Sequence, residues 1–263
     1  MTDADVCPER LLDRGPIEPT SELPPLMVLG LTLRSGVGYA VQGVSFSVRA
    51  GEMALLVGPA GGGHEACTEM VAGRTRPTFG TVTICGLQVA PGMRALSVTN
   101  RPGHAVGRTG LTGREWLEGQ ARWEIQTPEE AHHRVHTMVE RMKLTRTADR
   151  PIRNLDRSGI RLLSVAAALL AQAPVVVLAE PITDLDTERE DTVLAAATAA
   201  SEKGSAVLIS ASCGRIPRAQ FDRVFVLRGG RLRYAGTGCN VSAWASSLLD
   251  DGADGNDPHG AIR

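Results

Sequence analysis

Gly58-Pro59-Ala60-Gly61-Gly62-Gly63-His64-Glu65 stands between an apolar run, Glu52 to Val57, and a second segment of helical character that stops at Gly73. A glycine loop placed between a strand and a helix cradles phosphate when two glycines spaced by four residues are followed by Lys and then Ser or Thr. Main-chain N–H groups surround the phosphates, the ammonium meets the outer ones and the hydroxyl holds magnesium. Here Gly58, Gly61, Gly62 and Gly63 keep the glycine scaffold, while His64 and Glu65 replace the two chemical groups. Lys143 and Lys203 are the only lysines in the chain, so no shift of register restores the ammonium.

With 263 residues, 43% of them hydrophobic and 22% charged, the chain can bury one large core or two smaller ones and has the composition of a globular protein. Its net charge of -1 gives no global reason to expect nucleic acid as a partner. Cys7, Cys67, Cys85, Cys213 and Cys239 form no CxxC pair and are odd in number, which argues against a disulfide framework and a zinc site and for reduced thiols. The first residues, Met1 to Arg14, carry acidic charge and no apolar stretch, so the protein is expected to stay inside the cell. Leu162 to Ala179 is free of charge, but Pro174 splits it into a helix-like part and a strand-like part, Val175 to Leu178, which speaks against a membrane span.

Residues 1–25 and 241–263 read as tails, the first rich in Pro and acid, the second largely Asp/Gly-rich. Between them, Leu26 to Leu33 and Val44 to Val48 are expected strands, joined through a turn at Gly36 and Gly38. Thr127-Pro128-Glu129-Glu130 has the form of a helix start, with a capping Thr, Pro at the first helical position and a Glu placed to reach back. Ala131, Val135, Met138, Val139 and Met142 make its apolar stripe. Asp186 or Thr187 caps a later helix, Ala206 to Ser210 is a short buried strand, and Arg223 to Leu227 with Arg231 to Tyr234 forms a hairpin over Gly229-Gly230. Strands alternating with helices imply a mainly parallel α/β core with a helical insert over about residues 103–170.

In this order and at these spacings, the motifs resemble the ATP-binding cassette of ABC transporters over about residues 26–240. The framework that carries the resemblance includes Gly43-Val44-Ser45-Phe46, Gly51-Glu52, the loop at Gly58, Pro77-Thr78-Phe79-Gly80, Leu111-Thr112 with Glu115, Glu180-Pro181, Leu185-Asp186, Asp222-Arg223-Val224 and Gly230-Arg231. The resemblance implies a P-loop NTPase-like fold with a mainly parallel sheet, an antiparallel β subdomain and a helical subdomain. It also says which residue should do each job. The Walker A lysine is His64 and its hydroxyl residue Glu65; the Walker B aspartate is Ala179; the LSGGQ signature corresponds to Leu155-Asp156-Arg157-Ser158-Gly159. The Q-loop glutamine aligns with Asn100, the H-loop histidine with Ser212, and the adenine-stacking ring with Ser35, Tyr39 being nearby but off register. Glu180 alone retains its family identity, that of the general base.

These replacements lead to the expectation of a pseudo-ATPase, with no cofactor, acting with a transmembrane transporter subunit or a second cassette at the inner face of a membrane. Two unit charges about 4 Å apart repel by roughly 4 kcal/mol at an effective dielectric near 20, so Glu65 opposes phosphate unless magnesium bridges the two. As a first-turn carboxylate it also favours the helix dipole by about 0.3 to 1 kcal/mol. Glu180 reads either as a hydrogen-bonded hinge into Pro181 and the Thr183-Asp184-Leu185-Asp186 turn or as a working base. Two alternatives stay open: an active ATPase that uses Glu180, with ATP and Mg bound at a non-standard loop, and a soluble cassette-type regulator in the cytoplasm. No metal site is assigned, because Glu129, His132, His136 and Glu140, although on one helical face, read as a solvated surface. Arg141, Arg146, Arg150, Arg153, Arg157 and Arg161 read likewise as an ordinary basic surface.

Overall fold

The computed structural model describes residues 23–89, 96–98, 110–122 and 127–237. Asn100 and the extension at 241–263 lie outside the described residues, as do residues 1–22 of the expected N-terminal tail.

The chain opens with an antiparallel hairpin of β1 (Leu26–Ser35) and β2 (Gly38–Val48), with Gly36 at positive φ in the turn. The second strand is longer than the apolar run at 44–48 suggests, because residues 38–43 pair with β1 through a register broken by bulges. With β4 (Phe79–Ile84) and β5 (Leu87–Gln88), these strands form a four-stranded antiparallel sheet in the order β2-β1-β4-β5. The second sheet contains β3 (Met53–Gly58), β6 (Leu96–Val98), β7 (Val175–Ala179), β8 (Ala206–Ser212), β9 (Arg223–Arg228) and β10 (Arg231–Thr237). Its order is β10-β9-β3-β8-β7-β6, and only β9 and β10 run antiparallel.

The central strands are apolar throughout because both their faces are covered. Alternate residues divide between two cores. Met53, Leu55, Val57, Val176, Leu178, Val207 and Ile209 face one core, while Ala54, Leu56, Val175, Val177, Ala206 and Leu208 face the other. The second core lies under the antiparallel sheet and α1 (His64–Val71), which contributes Cys67, Met70 and Val71. The first is covered by α2 (Gly113–Ala121), α3 (Pro128–Arg141), α4 (Thr145–Ala148), α5 (Arg157–Leu170) and α6 (Thr187–Glu202). Cys67, Cys85 and Cys213 are free thiols, and burial pushes that of Cys67 up to about 12, which makes it an inert core group.

The charge-free stretch at 162–179 is the end of α5 followed by β7, and among the described residues no helix is long and apolar enough to cross a membrane. Thr127 caps α3 by accepting from the Glu130 N–H, and the expected apolar stripe is buried, with Met138 partly so. The return bond expected of Glu130 is replaced, since its carboxylate engages Arg134 one turn further on. The reciprocal capping box forms instead at Thr112 and Glu115, at the start of α2.

Candidate functional site

Parallel pairing of β3 with β8 and of β8 with β7 brings three distant segments to one edge of the sheet. Gly58 lies beside Ser212, and Ala179 beside Ser210. The loop after β3 is tightly wound: Gly62 N–H donates to the Pro59 carbonyl, and Gly230 N–H donates to the Gly62 carbonyl. Gly63 sits at φ 100, and a Cβ there would lie 2.5 Å from the Ala40 carbonyl oxygen. Only glycine allows both that backbone conformation and that approach. Gly61 also has positive φ, with open space around it.

His64 begins α1 and is fully buried. Its ring packs against the start of the loop, where a Cβ on Gly58 would lie 3.0 Å from Nδ1. Nδ1 has no hydrogen-bond partner, and Nε2 lies 3.2 Å from Glu180 Oε1. An ionised carboxylate can only accept, so the imidazole is the donor in this contact. Ser212 Oγ donates to the same oxygen at 3.1 Å, and Thr183 Oγ1 donates to Oε2 at 3.1 Å. Burial raises the Glu180 pKa, but the hydrogen bonds from His64, Thr183 and Ser212, together with the charge of His64, outweigh it and hold the carboxyl below its ordinary value. The Glu180 backbone is held in the left-handed region, φ 48, by its N–H donating to Ser210 O and by Arg161 Nη1 donating to its carbonyl at 2.6 Å.

Glu65 lies in the first turn of α1, and among the described residues His64, Glu65 and Glu180 offer ligand atoms within 4.8 Å of one another. A cavity of about 650 Å³ opens in front of them, lined among others by Glu65, Arg157, Arg161, Ala179, Glu180 and Ser212. Across it, Asp156 caps α5 by accepting from Gly159 N–H at 2.8 Å and from Ser158 Oγ at 3.0 Å. The Gly159 bond, together with Ser158 and the nearby Arg189, keeps the Asp156 carboxyl below its ordinary range despite partial desolvation.

The loop residues, Glu180 and Ser212 are thus brought together, whereas Asn100 lies outside the described residues. Thr183, in the turn expected to hold Glu180 as a hinge, clamps its carboxylate. One partner was not assigned from the sequence: Arg161 leaves the basic surface to which its neighbours belong, and its largely buried guanidinium reaches the Glu180 carbonyl and, at 3.7 Å, Asp184. Its position one turn into the helix after Asp156 is the only sequence signal for that role. Tyr39 has its ring face beside the Arg34 guanidinium, 5.9 Å from the centroid, which is a cation–π contact within the sheet. The His132 and His136 face of α3 does not converge; His132 turns to Glu118 and His136 to Glu140.

Residues 41–183 match the family model described as ABC transporter. The chain belongs to the ABC transporter ATP-binding family. It is 31% identical over 209 residues to the Nod factor export ATP-binding protein I of Burkholderia lata, a match covering 75% of this chain and 66% of that protein. It is 33% identical over 204 residues to ATP-binding cassette sub-family A member 6 of Mus musculus, covering 75% of this chain and 12% of that protein. The cassette therefore spans just under two thirds of the first relative and a small fraction of the second. Among solved structures, an ATP-binding subunit of an ABC transporter superposes with a TM-score of 0.71 at 22% identity, over 87% of this chain and 95% of that one. A nucleotide-free ATP-binding cassette superposes with a TM-score of 0.68 at 20% identity, over 86% and 96%. At these identities the structures speak for the fold alone, and that fold is the α/β P-loop NTPase cassette expected from the motifs.

Proposed function

We propose that this cassette is a pseudo-ATPase: a structural or regulatory partner in a transporter complex that has lost hydrolysis and holds ATP weakly or not at all. The observation that carries the reading is the engagement of His64, the first residue after the glycine loop, with Glu180. His64, where the family has an ammonium aimed at phosphate, is buried and bonded to Glu180, and Glu65 adds negative charge where the family has a hydroxyl. These side chains do not fit a nucleoside triphosphate with magnesium, since Ala179 also supplies no carboxylate to support the ion.

The remaining replacements point the same way. Asp156 satisfies the N-terminus of α5 from within, so that helix end offers a partner's nucleotide a carboxylate in place of unpaired N–H groups. Ser212 turns its hydroxyl to Glu180. For an active ATPase, Glu180 would have to face a water molecule; both of its oxygens are engaged by His64, Ser212 and Thr183. Gly58, Gly61, Gly62, Gly63, His64, Glu65, Asn100 and Ser212 thus make up a degenerate nucleotide site, with Glu180 vestigial, in a cassette unit over 26–240 whose helical part spans about 103–170.

The partner is a transmembrane subunit, a second cassette, or both, placing the chain in the cytoplasm at the inner face of a membrane. Affinity purification of the tagged chain from its native cells tests this. An integral membrane subunit or a competent cassette should co-purify, and transport by that complex should survive Glu180→Gln. A chain recovered alone in the soluble fraction would favour a regulator with no membrane partner, and loss of transport in Glu180→Gln would favour an active enzyme.

A further inference from the structure

We infer that His64, Glu65 and Glu180 form a site for a divalent transition-metal ion of the zinc kind, bound without nucleotide at the start of α1. Among the described residues, this is the group of His, Cys, Asp and Glu side chains that converges closely enough to hold an ion, with ligand atoms within 4.8 Å. The inference rests on the reading that nucleotide does not occupy the loop.

Three features separate this arrangement from a chance meeting of acidic groups. The imidazole is fully buried, and it is Nε2 that it turns to Glu180. Nε2 and Oε1 are 3.2 Å apart. A tetrahedral ion with bonds of about 2.1 Å holds neighbouring ligand atoms about 3.4 Å apart, so these two atoms are already spaced as adjacent ligands. Glu65, exposed at its outer end, has to close the remaining distance by a side-chain rotation. Finally, the Glu180 carboxylate is oriented by the hydroxyls of Thr183 and Ser212, the kind of outer partner that fixes metal-ligating carboxylates.

The donor set selects the ion. One imidazole and two carboxylates suit zinc, and next manganese or iron(II), better than magnesium, which prefers an all-oxygen octahedron with retained waters. Three protein ligands leave a fourth position that faces the cavity lined by Glu65 and Glu180. Binding puts a cation in place of the Nε2 proton, which passes to solvent from a charged ring or to Nδ1 from a neutral one, so that a neutral imidazole is the ligand; it ties the start of α1 to the end of β7 and neutralises two carboxylates that otherwise share this edge of the sheet.

The test uses the full chain, stripped with chelator and free of nucleotide, titrated calorimetrically with Zn²⁺ and with Mg²⁺, and with Co²⁺ as a visible-absorption probe. One equivalent of Zn²⁺ should bind, with Mg²⁺ far weaker and with Co²⁺ giving ligand-field bands. Glu65→Gln, with its folding checked by circular dichroism, should weaken Zn²⁺ by about tenfold or more, and Glu180→Gln likewise. The His132→Ala/His136→Ala variant should bind as the parent does. Absence of stoichiometric Zn²⁺ binding would overturn the site, as would binding that survives Glu65→Gln and Glu180→Gln or that vanishes with the α3 histidines. Titration of the metal-free chain with ATP reads the nucleotide question separately, so tight ATP binding there sinks the pseudo-ATPase reading while absent Zn²⁺ binding sinks the metal site.

Discussion

The starts of α1 and α5 are the two helix ends that the cassette family turns toward phosphate, and here they are closed in different ways. At α5 the closure is local and made by one residue: Asp156 accepts from Gly159 N–H and supplies the anion that the helix end would otherwise seek. At α1 the cap residue, Gly63, makes no side-chain hydrogen bond, and the backbone loop keeps its glycine geometry. What differs there from a phosphate loop are the side chains that follow, His64 and Glu65. On the proposed reading, α5 gives up its anion site as part of its own stability, while α1 gives it up by two exchangeable side chains.

The largest effect should come from reversing those two. His64→Lys with Glu65→Ser is expected to tighten ATP binding by about a hundredfold or more, measured by equilibrium titration, because it removes a like charge and restores a cation and a hydroxyl. Unchanged affinity would mean that the cradle itself is spoiled and that the two helix ends do not differ. Next comes Gly63→Ala, where strain at φ 100 and a Cβ 2.5 Å from the Ala40 carbonyl oxygen should cost about 2 kcal/mol or more in denaturant unfolding. Asp156→Ala should cost about 1 kcal/mol of stability, as loss of a helix cap does, and an unaltered midpoint would show that α5 does not depend on its internal anion.

The smallest effect is a pH dependence. Glu180 has its folded pKa below the ordinary 4.5, so its stabilising contribution is complete above that value and fades as pH falls through the folded pKa. Glu180→Gln should therefore unfold with a shallower acid limb than the parent. Parallel acid limbs for the two proteins would show that the Glu180 contacts carry no net stabilisation.

The framework was legible because it is written in short-range pattern. The glycines of 58–63, the doubly buried strands at 53–58 and 175–179, and the Asp186 cap of α6 each follow from a few adjacent residues, and their order supplied the fold. The contact between His64 and Glu180 was not legible, since it joins residues 116 apart and exists only because β8 lies between β3 and β7. Arg161 was misplaced for a related reason. Its charge periodicity matches a surface stripe, yet α5 rolls that one side chain beneath the Glu180 turn, where burial lowers its pKa against the support of Asp184 and Glu180. The reach-back of Glu130 failed because Arg134, one turn on, competes for the same carboxylate.

Calorimetric titration of the unmodified chain with Mg-ATP addresses the central claim most directly. The closed contact between His64 and Glu180, with the Glu65 charge beside it, predicts no saturable heat up to millimolar nucleotide and no phosphate release. Micromolar binding that requires magnesium, with turnover that disappears in Glu180→Gln, would contradict it.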